Sequence, residues 1–253
     1  MDLGLADRVY ILTGASRGLG FATAECLVAD GARVVISSRD SEQVAKAAAA
    51  LGGPDRAVGI TADLANPQTP QRLIDAARES FGRLDGALIS VGGPPPGTAA
   101  QATDEQWRAA FETVFLGTVR TARTIAATLP AGGAIALVLS TSVRSPIPGL
   151  GISNGLRPGL AGAAKDMADE YGPRGVRFVG LLPGRIMTDR NRQLFAATGD
   201  PERARAEAEA TIPLRRIGEP AEFGRVAAFV LSPAASYLTG VTIPVDGGAL
   251  RSI

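Results

Sequence analysis

Short apolar segments rich in β-branched residues alternate with longer helical stretches along almost the whole chain. Such segments, nearly continuous in apolar character, are typical of parallel strands covered on both faces. The predicted strands cover residues 8–14, 32–38, 57–63, 84–90, 134–140, 176–182 and 241–247. The predicted helices cover residues 18–30, 41–51, 68–81, 103–129, 156–171 and 219–231. The alternation predicts an α/β fold: a Rossmann-type doubly wound sheet of about seven parallel strands with helices on both faces.

One polar segment, residues 185–218, interrupts this alternation, with mixed charges in GDPERARAEAEA (199–210). Its charge favours a solvated surface helix with i,i+4 ion pairs. Its position after the sixth predicted strand favours a lid over a site at the carboxyl ends of the strands. Both interpretations stay open. No linker or repeat divides the chain, so residues 1–253 are expected to form one domain with a lid-like segment at 185–218.

Composition excludes several kinds of site. The chain has no histidine and one cysteine, Cys26, which excludes Ser-His-Asp triads, histidine-ligated metals and cysteine zinc clusters. No metal site is therefore expected. The 26 basic and 25 acidic residues are spread along the sequence, so nucleic acid is not an expected partner. The start of the chain does not resemble a signal peptide, and the apolar runs are too short to span a bilayer. We therefore expect a cytoplasmic protein with no membrane partner.

A glycine-rich turn, Thr13-Gly14-Ala15-Ser16-Arg17-Gly18-Leu19-Gly20, directly follows the first predicted strand and opens a helix. Glycines let the backbone turn tightly and approach a pyrophosphate, and the helix N-terminus offers free N–H groups and a partial positive charge. The alternative is an ordinary strand-to-helix turn, because the glycine pattern alone is a weak motif. Its place in a βαβ unit favours dinucleotide binding.

The octet resembles the fingerprint of the short-chain dehydrogenase/reductase family, and the resemblance covers nearly the whole chain. Asp63-Leu64 is similar to the family's adenine-contacting segment. Pro183-Gly184 with Thr188 is similar to the segment that covers the nicotinamide, and residues 218–248 are similar to the family's final helix and strand. The resemblance implies a cofactor site made of Gly14, Ser16, Arg17, Gly18, Leu19, Gly20, Ser38, Arg39, Asp63, Leu64, Ser90, Val91, Gly92, Pro183, Gly184, Ile186 and Thr188.

The end of the second predicted strand bears on which cofactor binds. An NAD-binding protein generally has an acidic residue there, whereas this chain has Ser37-Ser38-Arg39. Arg39 and Arg17 are placed to flank a 2′-phosphate. The alternatives are that both arginines merely face solvent, or that Asp40 serves as the acidic residue. We expect NADP(H) rather than NAD(H).

The family resemblance also implies a catalytic tyrosine, a lysine four residues later, a serine on the preceding strand and an asparagine on the fourth helix. Ungapped counting places Ser153 at the tyrosine position, Arg157 at the lysine position, Ser140 at the serine position and Val114 at the asparagine position. Ser140, Ser153 and Arg157 are therefore the predicted catalytic residues. A serine is a much weaker acid than a phenol, and arginine does not deprotonate, so the ordinary proton relay is in doubt.

These departures follow a pattern. GGPPPG (92–97), SPIPG (145–149) and SNGLRPGLAG (153–162) resemble an atypical branch, the acyl-carrier-protein ketoreductase homologues, with Ser-Asn-x-x-Arg in place of Tyr-x-x-x-Lys. The prolines at 94–96 indicate either a loop fixed beside the nicotinamide or simply a rigid turn. Pro158 is expected in the first turn of the helix predicted at 156–171.

Two functions remain open. The first is an NADP(H)-dependent oxidoreductase that acts on a small carbonyl or alcohol. The second is a non-catalytic NADP(H)-binding protein, a redox sensor or assembly partner, which the loss of tyrosine, lysine and asparagine together would explain. In the family, helices corresponding to 103–129 and 156–171 form a dimer seam, so the resemblance implies a homo-oligomer, a dimer or homotetramer.

Overall fold

The computed structural model describes residues 2–252, without the side chain of Arg190. Within these residues seven strands form one parallel sheet in the order β3-β2-β1-β4-β5-β6-β7. The strands are β1 (Val9–Leu12), β2 (Arg33–Ser38), β3 (Ala57–Thr61), β4 (Gly86–Ile89), β5 (Ala134–Val138), β6 (Arg177–Pro183) and β7 (Val241–Val245). The predicted fold class is confirmed.

Helices flank the sheet, and none within residues 2–252 is long and apolar enough to cross a membrane. The α-helices of this part of the chain are α1 (Gly18–Ala29), α2 (Ser41–Ala50), α3 (Thr69–Phe81), α4 (Asp104–Ala110), α5 (Gly117–Thr128), α6 (Gly151–Tyr171), α7 (Asp189–Ala196), α8 (Pro201–Thr211) and α9 (Pro220–Leu231).

Alternate residues of the inner strands β1, β2, β4, β5 and β6 enter two different cores, because successive side chains of a strand point to opposite faces. On β1, Val9 and Ile11 pack with helices α3, α5 and α6. Tyr10 and Leu12 pack on the other face with α1, α2 and α9. Both faces of these inner strands are therefore covered, which explains why their sequences are apolar throughout rather than alternating.

The strand order reverses beside β1. The chain proceeds from β1 outward to β2 and β3, then crosses back to form β4 on the other side of β1. In open α/β sheets ligands bind in the crevice at this reversal, outside the carboxyl ends of the strands. The glycine-rich turn after β1 and residues 90–92 after β4 both lie there.

Two predicted helices differ from the structure. The helix predicted at 103–129 is interrupted by a π-helical segment, Phe111–Leu116, between α4 and α5. The helix predicted at 156–171 begins earlier, at Gly151, so Pro158 lies inside α6 and not in its first turn. The earlier start is fixed by a distant loop, since the Gly151 N–H donates to the Gly97 carbonyl at 2.8 Å. Local sequence does not contain that contact.

The polar segment 185–218 contains α7 and α8. The i,i+4 ion pairs expected on its surface are present between Arg203 and Glu207 and between Arg205 and Glu209. The segment also has a small apolar core of its own. Its buried members are Phe195, Ala208, Ile212 and Ile217.

Candidate active site

The glycine-rich turn is bound tightly to the end of β4. The Thr13 hydroxyl donates to the Ser90 carbonyl at 2.7 Å and accepts from the Ser90 N–H at 2.9 Å. Gly14 has φ +57°, and a Cβ there would lie 2.8 Å from the Ser90 carbonyl oxygen. Only glycine allows this conformation and this approach without strain, so the two strand ends form one wall of the crevice.

Helix α1 begins with an open N-terminus. Its N-cap, Arg17, has extended backbone and makes no side-chain capping hydrogen bond. Gly20 lies so close to the turn that a Cβ there would be 2.8 Å from the Gly14 carbonyl oxygen. The first-turn N–H groups of a helix have no partner within the helix, so these groups and the glycine turn fit a phosphate. A pyrophosphate-containing cofactor therefore fits the residues present.

A cleft of about 620 Å³ opens at this edge of the sheet. It is lined by ten of the predicted cofactor residues, which come from the glycine turn and from the ends of β2, β3 and β4. They are Gly14, Ser16, Arg17, Ser38, Arg39, Asp63, Leu64, Ser90, Val91 and Gly92. Val114, at the position of the family's asparagine, also lines the cleft, although only 2% of it is exposed.

Two exposed arginines line the cleft. Within the described residues, neither Arg17 nor Arg39 has a carboxylate within ion-pair distance. Asp40 is the N-cap of α2, and its carboxylate accepts from the Gln43 N–H at 3.0 Å. The Ser38 hydroxyl donates to the Asp40 carbonyl at 2.9 Å. Asp40 lines the cleft together with Arg17 and Arg39, and its carboxylate also caps helix α2.

The Asp63–Leu64 segment after β3 is held by α5. The Asp63 carboxylate accepts from the Ala65 N–H at 2.9 Å. Arg120 donates to the Leu64 and Ala65 carbonyls at 3.4 and 3.2 Å. Gly117 lies directly against the segment, since a Cβ there would be 2.6 Å from the Leu64 carbonyl oxygen. The π-helical segment Phe111–Leu116 directly precedes Gly117.

The remaining predicted cofactor residues lie outside the lining of the 620 Å³ cleft, as far as the described residues show. Gly18, Leu19 and Gly20 form the start of α1 itself. Pro183 is the last residue of β6, Gly184 follows it, and Ile186 is buried. Thr188 lies near the glycine turn, because a Cβ added at Gly18 would be 3.6 Å from its methyl group.

The predicted catalytic residues lie on or beside the buried face of α6. Ser153 and Arg157 are one helical turn apart and only 7% and 5% exposed. The Arg157 guanidinium donates to the Val138 carbonyl at the end of β5, at 2.6 Å. The Ser140 hydroxyl accepts from the Ser142 N–H at 3.1 Å and caps its own turn. Within the described part of the chain, the cleft lining does not include the three predicted residues.

Sequence reasoning missed Ser142. This residue is 2% exposed, and its Oγ lies 3.4 Å from Ser153 Oγ, at the long end of a hydrogen bond. Ser142, and not Ser140, is thus the hydroxyl beside Ser153. The sequence does offer a second serine in Ser140-Thr141-Ser142. Ungapped counting assigns the family's serine position to Ser140 alone, and it does not consider a residue in the turn that follows the strand.

Loops 92–97 and 145–149 are joined to each other and to α6. The Gly97 N–H donates to the Gly149 carbonyl at 2.7 Å. The Asn154 side chain accepts from the Ile147 N–H at 3.0 Å and donates to the Ile147 carbonyl at 2.9 Å. The Ser-Asn pair at the start of α6 therefore has a structural partner in the proline-containing loop. The loop is fixed by specific hydrogen bonds in addition to its prolines.

The three tyrosines are all remote from Ser153. Tyr10 is fully buried in β1, and burial raises the pKa of its phenol well above the ordinary value. Tyr171 ends α6, with its hydroxyl 3.4 Å from the Arg123 carbonyl. Tyr237 is fully exposed beyond α9. No tyrosine takes the place of the phenol that the family uses.

Comparison with known proteins agrees with the fold. A family model described as enoyl-(acyl carrier protein) reductase matches residues 14–249. The human dehydrogenase/reductase SDR family member 4 is 34% identical over 252 residues, covering 96% of this chain and 88% of its own. An uncharacterized oxidoreductase of Mycobacterium tuberculosis is 34% identical over 249 residues, covering 96% of this chain and 92% of its own.

Two solved structures superpose over their full lengths. L-sorbose reductase from Gluconobacter frateurii, complexed with NADPH and L-sorbose, has a TM-score of 0.93 at 28% identity, with 100% of both chains covered. A short-chain oxidoreductase from Pseudomonas aeruginosa PAO1, described as containing an atypical catalytic center, has a TM-score of 0.91 at 30% identity, again with 100% of both chains covered. Family model, relatives and fold agree: this chain is a member of the short-chain dehydrogenase/reductase family.

Proposed function

We propose that this protein is an NADP(H)-dependent oxidoreductase acting on a small carbonyl or alcohol. The observation that carries the cofactor preference is the cleft wall formed by Arg17 and Arg39, beside an Asp40 carboxylate used as a helix cap. A planar guanidinium binds phosphate oxygens with charge-assisted hydrogen bonds. The structural neighbour L-sorbose reductase is described in complex with NADPH, which supports the same cofactor class here.

The proposed contacts follow the geometry. The open N-terminus of α1 holds the pyrophosphate, Asp63 and Leu64 face the adenine, and residues 90–92 line the path from adenosine to nicotinamide. Pro183, Gly184, Ile186 and Thr188 would border the nicotinamide, as the family resemblance implies. When bound, the cofactor would supply or accept a hydride.

On the substrate side we propose Ser140, Ser153 and Arg157. The helix places Ser153 and Arg157 on one face, where a phenol and an ammonium would stand in the ordinary family arrangement. General acid–base help commonly contributes about 10²–10⁴ in rate, and serine and arginine do not replace it. We therefore expect slow turnover on simple saturated ketones.

The second candidate is an NADP(H)-binding protein without turnover. The observation that favours it is the burial of Ser153 and Arg157 outside the cleft lining of the described residues. A panel of small carbonyls with NADPH separates the two. Turnover of any of them supports the oxidoreductase, and saturable NADPH binding with no turnover supports the second candidate.

A pair of substitutions tests the site itself. Ser153→Tyr with Arg157→Lys restores the residue types of the ordinary family mechanism at positions one turn apart. We expect this variant to reduce saturated ketones faster than the native chain. No gain from a folded variant that still binds NADPH would mean that the position does not border the substrate.

We also propose a homodimer or homotetramer associated through α5, α6 and the π-helical segment. Phe111 is 43% exposed and stacks on Phe115, with ring centroids 5.2 Å apart. Exposed aromatic residues of this kind are typical of interface cores.

A further inference from the structure

A second cleft, of about 570 Å³, opens beside the carboxyl end of β7, and we call it the β7 cleft. It is lined by residues from four segments, 185–186, 213–218, 222–226 and 244–248. Among the described residues, none lines both this cleft and the 620 Å³ cleft at the glycine turn. A cavity of this size accommodates a small molecule. The β7 cleft is therefore a second pocket, separate from the one proposed for the cofactor.

Part of the lining of the β7 cleft is apolar and open to solvent. Leu214 is 62% exposed, although leucine is normally buried. It lines the cleft together with other apolar side chains, which are Ile186, Pro213, Val226, Pro244 and Val245. Exposed apolar side chains gathered in a concavity are typical of a ligand-binding pocket. An apolar ligand group would cover Leu214 and release water from its surface.

The backbone that presents Leu214 is strained. Arg215 has φ +55°, in the left-handed region that residues other than glycine rarely adopt. Its N–H donates to the Ile212 carbonyl at 2.9 Å, and its guanidinium donates to the Ala210 carbonyl. These contacts hold the strained residue between two cleft residues, Leu214 and Arg216. Strained backbone of this kind persists where the surrounding structure fixes it, and it is concentrated at functional and ligand-binding sites.

The turn after β7 packs closely on the same segment. The Leu214 N–H donates to the Gly247 carbonyl at 3.2 Å. Gly247 has φ +65°, and a Cβ there would lie 2.7 Å from the Ile212 side chain. The two walls are therefore held together by direct contacts of the protein itself, so the cleft is formed before any ligand binds.

Four of the described charged side chains line the β7 cleft, and three of them have partners within the protein. Arg216 donates two hydrogen bonds to the Glu222 carboxylate, at 2.7 and 2.6 Å. The Asp246 carboxylate accepts from two backbone N–H groups of the turn that follows it, at 2.9 and 2.8 Å. Arg185 is exposed, and within the described residues no carboxylate lies within ion-pair distance of it. Its guanidinium is therefore the group of this cleft that is suited to bind an anion.

We propose that the β7 cleft binds a small monocarboxylate with an apolar body, its carboxylate on Arg185 and its apolar body against Leu214 and Val226. A guanidinium matches a carboxylate with two parallel hydrogen bonds. The Glu222 and Asp246 carboxylates in the same lining repel a ligand of higher negative charge, so a monoanion fits better than a phosphate dianion. An amphipathic acid such as a medium-chain fatty acid has both required parts.

The β7 cleft also adjoins the segment that is proposed to border the nicotinamide. Arg185 and Ile186 line the cleft. The Gly218 N–H donates to the Arg185 carbonyl at 3.0 Å, and the Met187 N–H donates to the Gly218 carbonyl at 2.8 Å. A bound acid would thus contact a segment that is paired with residue 218. The proposal goes beyond the proposed function and does not rest on it, because the cleft takes its ligand without nucleotide.

Titration calorimetry with octanoate, in the absence of nucleotide, tests the site. The native chain should bind one octanoate per chain, with a dissociation constant of about 1 mM or tighter. Octanamide has the same hydrocarbon chain without the charge, and it should bind about tenfold more weakly because it loses the charged hydrogen bonds to Arg185. Inorganic phosphate should not displace octanoate.

Substitutions at two lining residues should have different effects on the two probes. Arg185→Met removes the cation, so it should weaken octanoate binding about tenfold and leave octanamide binding unchanged. Arg185→Lys keeps the charge and loses the planar fork, so its effect on octanoate should be smaller. Leu214→Ser should weaken both probes, because both use the apolar wall. Arg225→Met is the matched control, since Arg225 is exposed on α9 beside Val226 and does not line the cleft.

Circular dichroism and thermal unfolding verify that each variant is folded. No saturable octanoate binding, equal binding of octanoate and octanamide, or unchanged octanoate binding by Arg185→Met would overturn the proposal. If the native chain binds no octanoate and Leu214→Ser lowers the oligomeric state in analytical ultracentrifugation, a second copy of the chain covers the cleft, which also overturns it. None of these results bears on NADPH binding or turnover, which are measured separately.

Discussion

Replacing Arg39 with alanine is expected to weaken NADPH binding about tenfold and to leave NADH binding almost unchanged. Arg39 and Arg17 are exposed and line the same cleft. A hydrogen bond to a charged group contributes about 1.5–3 kcal/mol, and screening at an exposed site favours the lower end. About 1.5 kcal/mol corresponds to roughly tenfold in the dissociation constant. Arg17→Ala should have a similar effect, and the double variant about a hundredfold if the contacts are independent.

The assay is a fluorescence titration with NADPH and with NADH at two ionic strengths. Arg56→Ala is the matched control, because Arg56 is exposed and directly precedes β3. It therefore lies at the amino-terminal end of that strand, whereas the cleft lies at the carboxyl ends of the strands. The advantage of NADPH over NADH should shrink as salt rises, since exposed charges are screened. Equal weakening of both nucleotides by Arg39→Ala would refute the assignment of Arg39 to the 2′-phosphate.

Three further predictions concern the glycine turn, the proposed interface and an ion pair. Gly14→Ala should destabilise the fold by at least about 1 kcal/mol in chemical denaturation, because φ is positive and the Ser90 carbonyl is too close; unchanged stability would contradict that geometry. Phe111→Arg should lower the oligomeric state in analytical ultracentrifugation, and a native monomer would contradict the proposed seam. Arg216 holds the pKa of the Glu222 carboxyl down to about 2. The Arg216–Glu222 ion pair should therefore stabilise the fold fully above the ordinary carboxyl pKa, and this stabilisation should be lost as pH falls toward 2. Glu222→Gln should therefore cost stability at pH 7 and progressively less on acidification, whereas a constant cost would contradict the linkage.

The sheet could be predicted from sequence because each of its strands carries its own local signal. β-Branched, apolar runs that are buried on both faces do not depend on distant residues for their recognition. Helix boundaries were less predictable. The start of α6 depends on Gly97, and the close fit of Gly117 on the Leu64 carbonyl accompanies the π-helical segment. Both are contacts between residues far apart in sequence.

Some residues of the candidate site could be predicted from sequence and others could not. The glycine turn, Arg39 and Asp63 were predictable because family motifs fix their positions relative to strand ends, and they line one cleft. Ser142 was not, since its proximity to Ser153 depends on how the turn after β5 folds back onto α6. The burial of Arg157 was equally unpredictable, because an arginine in sequence is usually expected at the surface.

Isothermal titration of the purified native chain with NADPH and NADH tests the central claim, binding of a 2′-phosphorylated dinucleotide, most directly. The account predicts saturable binding of one NADPH per chain, at least about tenfold tighter than that of NADH. Tighter binding of NADH would contradict the role of the two cleft arginines. No saturable binding of either nucleotide by folded protein would contradict the cofactor site itself.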